Sequence, residues 1–272
     1  MKINQTETRN KDILFKNKIF FIVLARDKRY VKEKILELEN IKVPYIIVCG
    51  EKINHPNIIY RPPKGKYDAI NYAINFIPND VDIIVFNDID TCLYNFNETL
   101  KYFEDPKIAL VYVPEQIING PQVTFYKIFN SMREKIPLAG SGELMLIRKK
   151  VLDKMTPIKP CKGEDTYILF KVLELGYNVA YCKECIVTTV RTKNVKSEEM
   201  YRRKTVTGVY QALSYTNPPI LIKLFYIILP LASILLLFLG NKGYYWFKGI
   251  IKGFVDYIMG DRSGYWNTDY LG

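Results

Sequence analysis

The sequence predicts an α/β fold: a mostly parallel sheet flanked by helices on both faces, followed by C-terminal membrane-attachment helices. Three observations predict it. Residues 19–25, 43–49 and 81–86 are apolar runs of strand length, as expected for strands buried on both faces. Stretches with helical spacing alternate with them, which is the pattern of a parallel sheet with crossover helices. Residues 220–239 form twenty residues of nearly unbroken apolar chain, in which Lys223 is the only charge.

The elements follow in order. After the first strand, residues 28–40 place Val31, Ile35 and Leu38 on one helical face. The second strand, 43–49, ends at Gly50. A short strand at 57–60 precedes a loop punctuated by Pro62, Pro63 and Gly65. From Lys66 a helix carries Ile70, Ala73, Ile74 and Ile77 on one side. The strand 81–86 then runs directly into Asn87-Asp88-Ile89-Asp90. Further strands are expected at 108–113, 144–147, 179–182 and 186–190. A helix is expected at 164–175 with Gly176 as its C′ residue, and a basic helix at 197–213. Residues 114–137 show no clear period.

The domain division is a catalytic domain over 1–214 and a membrane-associated region over 215–272. The apolar segment 220–239 has the length to cross a bilayer core of about 30 Å. Pro230 at its middle leaves open a kinked span or a re-entrant hairpin, and a buried core helix is the ordinary alternative. Residues 243–260 read as an amphipathic interfacial helix, with Lys248, Lys252 and Asp256 opposite an apolar, aromatic side.

The formal net charge is +11. Zinc-finger spacing and a basic helix interleaved with aromatics are both missing from the sequence, which argues against nucleic acid. The densest basic stretch, from Arg191 to Lys204, sits just before the apolar segment and so points to a membrane surface. The polar segment 1–10 has no apolar core of the signal-peptide type, and the five cysteines are an odd number. Together these suggest a reducing, cytoplasmic compartment. Cys182 and Cys185 read as turn cysteines, since a zinc site needs further ligands. His55 is the sole histidine, which excludes His-based triads and multi-His metal sites.

Four constellations can carry chemistry. Asp88 and Asp90, two residues apart on a turn after a buried strand, can converge on a hard cation such as Mg²⁺ or Mn²⁺, although such pairs also arise by chance in loops. Gly65-Lys66 at a helix start favours an anion nearby, or is a plain helix entry. Glu164 and Asp165 at the next helix start suit the helix dipole, or supply a general base. Tyr201-Arg202-Arg203-Lys204 can hold a diphosphate, or form a solvated basic face.

In this order, these elements resemble the family 2 glycosyltransferases, whose nucleotide-binding domain is called GT-A. The matching residues are Glu51 after the second strand; Gly65, Lys66, Ala69, Asn71 and Ala73; Asp88 and Asp90; Gly140 and Gly142; and Glu164 and Asp165. The likeness spans about 19–213. It implies metal-dependent, inverting transfer of a sugar from a UDP- or GDP-sugar donor. It implies that Ala25 and Glu51 lie against the nucleotide's base and ribose, with Lys66 and Glu164 also at the donor. Asp88 would contact the nucleotide, Asp90 would ligate Mn²⁺ or Mg²⁺, and Asp165 would be the catalytic base. Processive members carry Q-x-x-R-W where this chain has Lys204 and Thr205 in the last two places, which argues for transfer of single sugars. A lipid-linked acceptor and a cytoplasmic membrane face are expected from the apolar segment beside the basic helix. Two rivals remain: a sugar-phosphate nucleotidyltransferase, whose glycine-rich signature is absent from residues 25–29, and a non-catalytic membrane-bound sugar-nucleotide-binding protein.

Overall fold

A computed structural model describes residues 18–120, 123–190 and 194–265. The polar stretch 1–10 and the first three residues of the basic stretch, 191–193, lie outside the described residues. The expected mostly parallel sheet is present. Seven strands run in the order β3-β2-β1-β4-β8-β6-β9. They are β1 (Ile19–Ala25), β2 (Tyr45–Cys49), β3 (Ile58–Tyr60), β4 (Ile83–Asp88), β6 (Ile108–Tyr112), β8 (Leu144–Arg148) and β9 (Asn178–Tyr181). β8 alone is antiparallel to its neighbours. A second, three-stranded sheet joins β5 (Thr91–Tyr94), β10 (Ile186–Thr189) and β7 (Glu115–Ile117).

Each central strand is buried on both sides. Phe20 and Ile22 of β1 face one apolar layer with Ile84, Phe86 and Ile147. Phe21 and Val23 face the other, with Val85, Leu146 and the helix α1 (Val31–Ile41). This two-sided burial is why the strands read as apolar runs rather than as alternating patterns. The parallel register of β1 with β2 and β4 pairs Ala25 with Cys49 and Leu24 with Asp88. The carboxyl ends of these strands therefore form one edge, where ligands of such sheets bind. Gly50 completes that edge because a Cβ there would lie 2.1 Å from the Arg26 carbonyl oxygen.

The helices are α2 (Lys66–Ala73), α3 (Val123–Lys135), α4 (Lys149–Leu152), α5 (Glu164–Glu174), α6 (Val195–Tyr215), α7 (Ile220–Ala232) and α8 (Gly240–Ile258). Two differ from the sequence reading. On α1 Val31 and Leu38 are buried and Ile35 packs against the same layer, as the spacing suggested, but Lys34 is buried beside them. The unreadable stretch 114–137 contains β7 and α3. α3 buries Tyr126 and Arg133, a polar pair of the kind that erases a hydrophobic period.

At the C-terminus α7 continues as a 3₁₀ segment, Ser233–Leu239. Gly240, at φ 67° and ψ −153°, then reverses the chain. α8 returns along α6. Its buried residues Gly243, Trp246, Gly249, Ile250 and Gly253 form one stripe. Gly249 and Gly253 let the two backbones approach: a Cβ on Gly253 would lie 2.5 Å from the Arg203 carbonyl oxygen and 2.8 Å from Val206 Cβ. Ion pairs from Arg203 to Asp256 and from Lys248 and Lys252 to Glu199 flank the contact.

Gly253→Leu is therefore expected to cost about 1–3 kcal/mol by overpacking, seen as a lower denaturant midpoint. An unchanged midpoint would mean that α8 does not hold this seat on α6.

Candidate active site

A cleft of about 1080 Å³ opens at the carboxyl edge of β1, β2 and β4. Glu51, Lys66, Asp88, Asp90, Glu164 and Asp165 all line it, together with Gly140 and Gly142. The structure thus brings together residues from five separate segments. Ala25 stands slightly apart. It is buried at the end of β1 and borders a smaller adjoining pocket shared with Gly50, Lys66 and Glu164.

Lys66 reaches the cleft because α2 begins abruptly at Gly65, whose φ of 115° suits only glycine. A Cβ there would also meet the Gly264 carbonyl oxygen at 2.5 Å. The Lys66 ammonium donates to both oxygens of Asp88, at 2.7 and 2.5 Å. Burial pulls the lysine pKa down, but the charges of Asp88 and Glu164 more than reverse this, so it stays above the ordinary value. Burial pushes the Asp88 carboxyl up to about 6; Lys66 opposes the shift, and Asp90 and Glu143 reinforce it.

The turn that carries Asp88 and Asp90 is tied down from both sides. Ile89 N–H donates to the Leu24 carbonyl of β1. The Thr91 hydroxyl donates to the Asp88 carbonyl. Beneath it Lys34, fully buried, donates to Asn87 Oδ1 at 2.9 Å, to the Thr91 carbonyl at 2.6 Å and to Glu37 at 2.6 Å. Asn87 Nδ2 in turn donates to the Glu143 carbonyl. This network fixes the turn, and sequence reasoning missed it. The available signal was the lysine at an inward helical position together with an asparagine at the end of an apolar strand.

Asp90 is exposed to the cleft and makes no hydrogen bond or ion pair among the described residues. Also among the described residues, no three His, Cys, Asp or Glu side chains gather into a metal cage. Asp88 nevertheless carries repulsion from both Asp90 and Glu143, which a cation would relieve. A few carboxylate oxygens with open positions are the donor set that Mg²⁺ or Mn²⁺ takes when phosphate oxygens and water complete the shell. The residues present fit such an ion.

Across the cleft, α5 starts at Glu164. A Cβ on Gly140 would lie 2.5 Å from the Asp165 backbone, and one on Gly142 would touch Asp165 Oδ2 at 3.4 Å and Lys66 Nζ at 3.7 Å. The two glycines thus leave room for the carboxylate and the ammonium to face the same space. Arg133 holds their loop by donating to the Ala139 and Gly140 carbonyls while paired with Glu115. Asp165 Oδ1 accepts the Thr166 N–H at 2.7 Å, which leaves Oδ2 toward the cleft. Glu164 is pushed up to about 7 by burial, with Asp165 adding to the shift and Lys66 and Lys204 opposing it.

α6 crosses the start of α5 at a mutual glycine contact, Gly163 against Gly208. This divides the basic cluster. Lys204 lines the cleft, its pKa lowered by burial and by Lys66. Arg202 also lines it, stacked 3.8 Å over Trp246 and paired with Glu198. Arg203 turns away to Asp256. Cys182 and Cys185 are buried free thiols in the apolar core.

Glu164 gives a pH test. Its folded-state value of about 7 lies above the ordinary 4.5, so between these values the folded chain binds the extra proton. Its contribution to stability then falls as pH rises from 4.5 to 7 and is flat above. The Tm of Glu164→Gln relative to the unmodified chain is expected to rise between pH 5 and pH 8. An equal difference at both pH values would contradict the burial argument.

No described family profile matches the chain. An O-antigen chain rhamnosyltransferase of Salmonella typhimurium is 27% identical over 156 residues, covering 50% of this chain and 49% of the relative. The chain thus spans about half the length of the curated relative it matches. Among solved structures, a mannosyltransferase from Pyrobaculum calidifontis in complex with GDP-Man and Mn²⁺ superposes with a TM-score of 0.68 at 14% identity, covering 90% of this chain and 88% of that one. GalNAc-T7 with UDP, GalNAc and Mn²⁺ gives a TM-score of 0.51 at 9% identity, over 73% and 48% of the two chains. The chain has the GT-A fold of the glycosyltransferases.

Proposed function

We propose that the protein transfers a sugar from a nucleotide-sugar donor, UDP- or GDP-linked, to a hydroxyl or phosphate acceptor, with inversion and with the help of a divalent metal. One observation carries the reading: Lys66, Asp88, Asp90 and Asp165 converge from separate segments on one cleft at the strand ends. The GDP-Man and Mn²⁺ in one similar solved structure, the UDP, GalNAc and Mn²⁺ in the other, and the rhamnosyltransferase likeness support it.

The chain's groups divide the work. Glu51 and Ala25 border the space for base and ribose. Lys66 and Lys204 offer positive charge to the diphosphate. Asp90, with Asp88, would hold Mn²⁺ or Mg²⁺, which when bound acts as a Lewis acid on the departing diphosphate. Asp165 Oδ2 takes the proton of the acceptor hydroxyl as its oxygen bonds to the anomeric carbon. The bond to the diphosphate breaks in the same displacement, and its electron pair leaves with the nucleoside diphosphate. The sugar acquires oxocarbenium character, as in glycoside hydrolysis. Glu164, raised in pKa by burial and facing Lys66, supports the donor end.

The acceptor is lipid-linked and the catalytic domain faces the cytoplasm at a membrane. The apolar segment 220–239, with one side exposed, supports the membrane part of this placement, and the basic helix before it supports the cytoplasmic side. Ile227, Leu231 and Phe238 are 69%, 71% and 85% accessible.

Release of nucleoside diphosphate from a panel of UDP- and GDP-sugars, with lipid extract as acceptor source, tests the reading. One donor is expected to turn over with Mn²⁺ or Mg²⁺ and to stop with chelator. Asp165→Asn is expected to lose about 10²–10⁴-fold, the range for a general base, and Asp90→Asn a similar factor. Turnover that survives chelation and both substitutions would overturn the proposal.

A further inference from the structure

The apolar segment 220–239 has two faces. One faces inward, against the domain in the first half and against α8 in the second. Ile222, Tyr226 and Ser233 are buried, and Leu229 and Leu236 pack against buried clusters. These positions step by three or four, so they form one stripe along the segment. Tyr226 fixes it, donating its hydroxyl to the Leu138 carbonyl at 2.7 Å and accepting on its own carbonyl the Tyr210 hydroxyl at 2.6 Å. The opposite stripe, Leu224, Ile227, Leu231, Leu235 and Phe238, is exposed throughout.

A helix that crosses a bilayer leaves its domain at one end. This segment instead runs along the domain surface, reverses at Gly240, and is followed by α8 seated on α6. Crossing would strip Tyr226 from Leu138 and Tyr210 and put its hydroxyl in hydrocarbon, where an unsatisfied polar group is costly.

We infer that 220–239 is an in-plane anchor: it lies in one leaflet of an anionic phospholipid bilayer with its exposed stripe sunk into the acyl region and does not span. The bilayer is the occupant because the stripe consists of large apolar side chains without a charge, on a chain of net charge +11. Such helices bury their apolar face about 5–10 Å into the boundary between headgroups and acyl chains. The seat also sets the height of the cleft. Leu236 packs in the same cluster as Tyr126 and Tyr201, and both tyrosines line the cleft. The end of the cleft at Tyr126 and Tyr201 therefore stands at the lipid surface. The inference rests on the membrane part of the proposed function and not on the reaction.

The test uses the full chain with vesicles of phosphatidylcholine alone or mixed with phosphatidylglycerol. Cys92, the exposed cysteine among those described, is replaced by serine, and a single cysteine is placed by Leu224→Cys, Phe238→Cys or Asn241→Cys. The chain is expected to float with the anionic vesicles. Fluorophores at positions 224 and 238 are expected to be quenched to a similar, shallow depth by spin-labelled lipid. A thiol reagent trapped inside sealed vesicles is expected not to reach position 241. Ile227→Glu/Leu231→Glu/Phe238→Glu is expected to release the chain with its unfolding midpoint unchanged. Reaction of position 241 from inside, or a depth that grows from 224 to 238, overturns the in-plane seat and leaves membrane attachment standing. Absence of flotation, with or without dimer formation through the stripe, overturns membrane attachment as well. Donor turnover in detergent is independent of either result and tests the chemistry alone.

Discussion

A carboxylate has to be kept at the end of a strand that is otherwise wholly apolar, and the site is arranged around that constraint. Asp88 closes β4, which pairs with β1 on one side and β8 on the other. Burial alone disfavours its charge. The ammonium of Lys66 answers it directly, and Lys66 can do so only because α2 starts at a glycine with positive φ. Glu164 and Asp165 on α5 then face the same ammonium across Gly142. Opposite charges are thereby held in one cleft at close range. Such a preorganised field suits a reaction that builds negative charge on a leaving diphosphate.

Two buried cations outside the chemistry hold this arrangement. Lys34 ties α1 to the Asp88–Asp90 turn through Asn87 and Thr91. Arg133 ties α3 to the Gly140 loop, where its guanidinium also faces Tyr112 and Phe129. Each is hydrogen-bonded and paired with a carboxylate, as buried charges must be. They support reactive groups on rigid elements rather than on loops alone.

What was legible in the sequence follows from how local each signal is. Strands buried on both faces announce themselves as apolar runs, with Asp88 and Asp90 at the end of one and Gly65 and Asp165 at helix starts, in a recognisable order. The sheet's one antiparallel member, β8, and the second sheet of β5, β10 and β7 were not legible, because pairing partners far apart in sequence leave no local trace. Lys34 and Arg133 were hidden for a related reason: a polar residue at an inward position breaks the period that reveals the helix. The reversal at Gly240 and the glycine stripe of α8 were equally silent. Composition showed that 220–239 was apolar, and the structure showed that one side of it is spoken for by the domain.

The C-terminal region thus belongs physically to the catalytic unit. α8 lies on α6, α6 carries Lys204 into the cleft, and Lys162 beside Glu164 pairs with Asp261 just past α8. In the proposed reaction Asp90 and its neighbours form half of a metal site, the other half being the diphosphate itself. The most direct measurement is an electron paramagnetic resonance titration of Mn²⁺ with and without UDP or GDP, on the unmodified chain and on Asp90→Asn. Tight Mn²⁺ binding is expected only when a nucleoside diphosphate is present, and the variant is expected to lose it. Equal binding without nucleotide, or undiminished binding by Asp90→Asn, would contradict this shared metal site.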